Sequence, residues 1–123
     1  MGVTLSTSNI KQLKQTEPQK PAGQYPDKIR SLPLFDGDFD AYKLGAEDCE
    51  VLFASYPAGS AVPPHTHDTE NHGVVTRGEL ILTVDGSKRR YSIGDWYHVP
   101  AETLHTAEFE SDTDTIELWF NPE

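Results

Sequence analysis

From about residue 31 onward the chain repeats one pattern: short segments rich in β-branched and aromatic residues, cut at close intervals by Gly, Pro and Asp. Strands are predicted at 41–44, 50–56, 62–67, 72–77, 79–85, 88–93, 96–99, 104–109 and 115–120. Turn signals separate them at Pro57-Ala58-Gly59, Arg77-Gly78, Asp85-Gly86, Gly94-Asp95 and Ser111-Asp112. Asp85-Gly86 stands between Leu80–Val84 and Arg89–Ile93, and a two-residue Asp-Gly link of this kind specifies a tight hairpin. No stretch sustains a 3.6-residue apolar period long enough for a major helix. Many short strands within about 90 residues have one economical solution, a single all-β barrel or sandwich.

Charge divides the chain at about residue 28. Residues 1–28 carry Lys11, Lys14, Lys20 and Lys28 against Glu17 and Asp27, and Pro18, Pro21 and Pro26 interrupt any helix. This segment reads as an extended N-terminal arm, and residues 29–123 as the folded domain. Met1-Gly2-Val3-Thr4-Leu5-Ser6 fits an acylation pattern, but the pattern is short and a single chain anchors only marginally. The whole protein has 20 acidic against 10 basic side chains, a net charge of −10, which repels phosphate backbones and anionic membranes. Nucleic acid and membranes are therefore not expected partners. With a lone cysteine, Cys49, there is no disulfide framework; a cytoplasmic location and an inert, buried thiol are expected.

The chemistry concentrates in the histidines. All five, His65, His67, His72, His98 and His105, fall within 41 residues. His65-Thr66-His67 lies in a predicted strand, where residues i and i+2 share a face and two imidazoles can converge on one ion. Two ligands do not make a site, so another strand must add a third. His72 and His98 read as packed or surface side chains rather than ligands. Tyr56, Tyr91, Trp96, Tyr97, Phe109, Trp119 and Phe120 stand at strand spacing and are expected mostly in the core. The acidic runs Asp36–Asp40 and Glu110–Asp114 fit no calcium loop and read as solvated turns.

Spacing around the histidines supports a resemblance. Gly59-x5-His65-x-His67-x3-Asn71-x6-Gly78 resembles the first motif of the cupin superfamily, with Asn71 where Glu is usual. Gly94-x5-Pro100-x-Glu102-x2-His105 resembles the second, with Glu102 in place of a usual Gly and Phe109 in place of a usual Asn. The resemblance implies a single-domain jelly-roll barrel, a homodimer, and one divalent metal ion (Fe, Mn, Ni, Zn or Cu) held by His65, His67 and His105. Asn71 is the expected fourth ligand; a one-residue slip in register would substitute Glu70 or His72. Asn71 or Glu70 would orient the substrate or carry a proton. The implied function is a small metal-dependent enzyme acting on an oxygen-rich molecule, such as a sugar acid, keto acid or catabolic intermediate. Isomerase, lyase and oxygenase chemistry all lie within its range. The alternative is a non-enzymatic ligand-binding or sensor domain with a structural or absent metal.

Overall fold

The computed structural model describes residue 21 and residues 23–121. The acylation pattern and most of the expected arm lie outside the described residues. One helical turn, α1 (Asp27–Arg30), precedes nine strands: β1 (Asp40–Gly45), β2 (Cys49–Tyr56), β3 (Ala61–His65), β4 (Glu70–Arg77), β5 (Leu80–Val84), β6 (Ser87–Tyr91), β7 (Trp96–Val99), β8 (His105–Glu108) and β9 (Thr113–Phe120). Each predicted strand is found, with its ends displaced by a few residues. Pro26 does not break α1 but begins it: its carbonyl accepts from the Ile29 and Arg30 amides, and a proline in front of a helix forfeits no bond.

Two antiparallel sheets face one another. One runs β1-β2-β9-β4-β7 and the other β3-β8-β5-β6. This is the cupin barrel architecture expected from the motifs. Asp85 at φ 51° and Gly86 at φ 84° form the tight link between β5 and β6, because both central positions of such a turn need positive φ.

Strand alternation decides what goes inside. Along β2, Leu52, Ala54 and Tyr56 turn inward and Val51, Phe53 and Cys49 outward. Leu52 and Val75 on the large sheet meet Leu80, Leu82 and Ala107 on the small one, with Phe39, Phe109 and Val99 completing the core. Removing each of the Leu, Val and Phe side chains from water contributes about 1.5–3 kcal/mol. Two expected core aromatics belong elsewhere: Trp96 is 64% exposed and Phe120 38%, because their parity puts them on the outer face of the large sheet. Cys49 is only half-buried, and desolvation raises its pKa, which keeps it a thiol.

One acidic run is not solvated throughout. Asp114 is 2% exposed and accepts from Arg77 at 3.1 and 3.2 Å and from the Gln24 amide at 3.0 Å. The same region anchors Tyr25, whose hydroxyl lies 2.7 Å from the Ala54 carbonyl and 2.9 Å from the Thr115 carbonyl. Residues 23–25 are thereby fastened to β2 and β9.

Candidate metal centre

His65 closes β3 and stands directly across from His105, the first residue of β8. Their rings are 4.1 Å apart between centroids. His67 lies two residues beyond the end of β3, in the loop to β4. Its place is not set by strand parity, as the sequence suggested, but by that loop. The His67 carbonyl accepts from the Glu102 amide at 2.6 Å, and the ring packs on Trp119 at 4.7 Å. Glu102 can make this bond because it adopts φ 61°, a left-handed conformation that explains a usual glycine at this position.

The three imidazoles converge. His65 and His67 bring their Nε2 atoms to 3.0 Å, and one ring nitrogen from each of the three histidines lies within 4.8 Å of the others. Two metal–nitrogen bonds of about 2.1 Å spaced this way meet at roughly 90°, an ordinary ligand angle. The backbone fixes the tautomers. His65 Nδ1 lies 2.7 Å from the Pro63 carbonyl and His105 Nδ1 2.9 Å from the Thr103 carbonyl. A carbonyl only accepts, so each Nδ1 carries the proton and each Nε2 presents a lone pair. Burial, with His65 and His105 adding to it, pushes His67 down to about 4, and burial also lowers His105. Both rings are therefore neutral donors at neutral pH, and the residues present suit a divalent transition ion.

These side chains open into a cavity of about 300 Å³ between the sheets. Asn71, from β4, is 6% exposed and lines it, with its Oδ1 accepting from the Thr69 hydroxyl at 2.6 Å. Glu70 and His72, its neighbours, turn to the opposite face. Glu70 there accepts from the Ala101 amide at 2.7 Å and lies 2.6 Å from His98 Nε2. It does not border the cavity.

A different carboxylate does. Glu117, on β9 between Thr115 and Trp119, is buried and lines the cavity. It accepts from the Tyr56 hydroxyl at 2.6 Å, the Thr115 hydroxyl at 2.8 Å and the Trp119 indole N–H at 3.1 Å. Desolvation raises its pKa, and the three donors pull the other way. Gly73, paired with Glu117, leaves space for the Tyr97 ring; a Cβ there would come within 2.2 Å of it. Sequence reasoning missed Glu117. The available signal was Thr115-x-Glu117-x-Trp119, a carboxylate at an inward position of an otherwise inward-facing alternation.

The family model of the cupin domain matches residues 52–121, the stretch that carries these ligands and most of the cavity lining. The chain belongs to the cupin family. Among curated proteins, this cupin is 31% identical over 85 residues to H2HPP isomerase of Bacillus subtilis, covering 68% of the chain and 36% of that relative. It is 35% identical over 63 residues to quercetin 2,3-dioxygenase of Bacillus subtilis strain 168, covering 50% of the chain and 19% of that relative. The cupin thus spans about a third and about a fifth of the lengths of these two relatives. Among solved structures, KdgF from Halomonas sp. superposes with a TM-score of 0.64 at 25% identity, covering 73% of this chain and 86% of that one. An RmlC-like cupin from Shewanella frigidimarina superposes with a TM-score of 0.68 at 18% identity over 92% and 96% of the two chains. Among the described residues, no helix is long and apolar enough to cross a membrane.

Proposed function

We propose that this cupin is a metal-dependent enzyme that moves a proton on a small oxygen-rich molecule, a sugar acid, keto acid or related intermediate. The observation that carries the reading is one cavity holding both a convergent set of three imidazoles and a buried carboxylate, Glu117. His65, His67 and His105 would hold one divalent ion, with Asn71 beside them. When bound, the ion supplies Lewis-acid polarisation of a substrate oxygen. Three neutral imidazoles and a carboxamide leave the ion's two charges uncancelled, which favours an anionic or enolisable oxygen ligand.

Glu117 is the group in this cavity suited to take a proton from a substrate C–H and return it elsewhere. Its environment raises the affinity for a proton, and the hydroxyls of Tyr56 and Thr115 fix one carboxylate oxygen in place. The role considered for Glu70 passes to Glu117, since Glu70 faces away from the cavity. Phe35, Phe39, Tyr56 and Trp119 wall the space and exclude water, which favours a substrate with a flat or apolar body. Relatives are named as an isomerase and a dioxygenase; Glu117 supports the first kind of chemistry here.

The test combines metal content with proton exchange. Purified protein is expected to hold one ion in the cavity, lost in His65→Ala and His105→Ala by elemental analysis. In deuterated water, a panel of 2-oxo acids and uronic acids is followed by proton NMR for loss of C–H signal next to the carbonyl. Removing a positioned base costs about 10²–10⁴-fold in rate, so Glu117→Gln should abolish exchange while keeping the ion. Full metal occupancy without exchange on any member of the panel would favour a ligand-binding domain over an enzyme.

A further inference from the structure

The five histidines of the sequence divide without remainder between two clusters, three inside the barrel and two outside. His72 and His98 are direct cross-strand partners on β4 and β7, on the outer face of the large sheet. Their rings lie nearly parallel, 10° apart in plane and 4.3 Å between centroids. Glu70 stands two residues before His72 on the same strand and therefore on the same face. One carboxylate oxygen lies 2.6 Å from His98 Nε2, and the other accepts from the Ala101 amide. One ligating atom from each of the three side chains falls within 4.8 Å of the others. We propose that Glu70, His72 and His98 form a second binding site, for a divalent transition-metal ion, on the outside of the barrel.

Three features favour a cation here over a chance grouping of polar side chains. The donors are already ordered: the Ala101 amide fixes the carboxylate, the sheet register fixes both rings, and Phe120 packs edge-on against His72 at 5.8 Å. Binding therefore immobilises few free rotors. Two imidazoles and one carboxylate suit zinc, nickel or copper, and they leave coordination positions for water on the open side. The chain's net charge of −10 adds a general attraction for cations.

The outer site differs from the inner one in access and in consequence. Its side chains are 38–46% exposed at Glu70 and His98, whereas His105 is 7% exposed. None of its three residues lines the cavity between the sheets, so a catalytic role there does not follow. It bridges β7, an edge strand of the large sheet, to β4, and an ion there would cross-link the two strands.

Zinc provides the probe. Full-length protein is stripped with chelator, dialysed against low micromolar free zinc at neutral pH, and counted by elemental analysis. Wild type is expected to bind two ions per chain; His98→Ala and His72→Asn one each; His105→Ala one; and the His98→Ala, His105→Ala double variant none. Zinc should raise the melting temperature of His105→Ala but not of the double variant. Because His98 is exposed, its replacement is not expected to unfold the chain, and the milder His72→Asn gives an independent reading. If His98→Ala and His72→Asn each bind as many ions as wild type, the outer site does not exist. A count unmoved by His105→Ala would instead overturn the inner centre and leave the outer site standing.

Discussion

Replacing Glu117 with Gln tests the energetic consequence of burying a carboxylate inside the barrel. The side chain is buried, desolvation raises its pKa above the ordinary 4.5, and hydrogen bonds from Tyr56, Thr115 and Trp119 offset only part of that rise. The folded chain therefore keeps this proton to higher pH than the unfolded chain does. The contribution to stability is complete below about pH 4.5 and is lost as pH rises from there through the folded pKa. Each unit of elevation corresponds to about 1.4 kcal/mol. Gln is neutral at every pH and, like the protonated acid, offers one acceptor oxygen beside one donor group. The two proteins should match in stability near pH 4, and Glu117→Gln should be the more stable at pH 7.5. Every 1 kcal/mol of that gap appears as roughly 3–6 °C in melting temperature for a chain of this size. The measurement is chemical denaturation from pH 4 to 8 with chelator present, so that metal binding does not contribute. The titrating imidazoles are common to both proteins, so all but the coupling of His65 to Glu117 cancels in the difference. Glu117→Ala should behave oppositely, because it strands the buried Tyr56 and Thr115 hydroxyls at about 1–3 kcal/mol each, with the half-buried Trp119 N–H beside them. Parallel stability curves for wild type and Glu117→Gln would refute the reasoning, since they would mean that the three hydrogen bonds fully compensate the lost solvation.

Other outcomes follow from the same geometry. Glu102→Gly should stabilise the fold by about 0.5–1 kcal/mol in denaturant titration: relief of the left-handed φ of 61° outweighs the added entropy of the unfolded chain. Gly73→Ala should destabilise by about 1–3 kcal/mol, because the new Cβ would come within 2.2 Å of the Tyr97 ring and push it into the cavity. An ion held by the three inner histidines should survive mild acid. Burial lowers His67 to about 4 and lowers His105, so protons compete well below the ordinary imidazole value of 6.5. Metal analysis after dialysis across pH 4–7 should find half-release below pH 6, and half-release at 6.5 or above would mean that burial does not shelter these imidazoles from protons. In the metal-free chain the same lowered pKa values cost stability as pH falls from 6.5 toward 4, because the unfolded state then binds more protons.

Strand positions were legible because burial on one face writes a period of two into residues such as Leu52, Ala54 and Tyr56. The turn at Asp85-Gly86 was legible because few residues tolerate positive φ at both positions. The same alternation placed Asn71 on the inside and its neighbours Glu70 and His72 on the outside. Local pattern does not carry partnership across the barrel. His67 reaches the centre from a loop whose course depends on Glu102, which lies 35 residues away. Glu117 looked like any strand carboxylate until Tyr56, Thr115 and Trp119 were gathered around it. His72 and His98 each looked like a surface residue, and only the β4–β7 register laid one ring over the other. Sequence by itself determined the inward–outward alternation along strands such as β2, because that choice depends on neighbours along one strand; His67, placed by a loop, and the outward Trp96 and Phe120 escaped it. Which inward or outward groups meet depends on strand pairing over 26 to 61 residues of chain, and only the closed tertiary structure decided it.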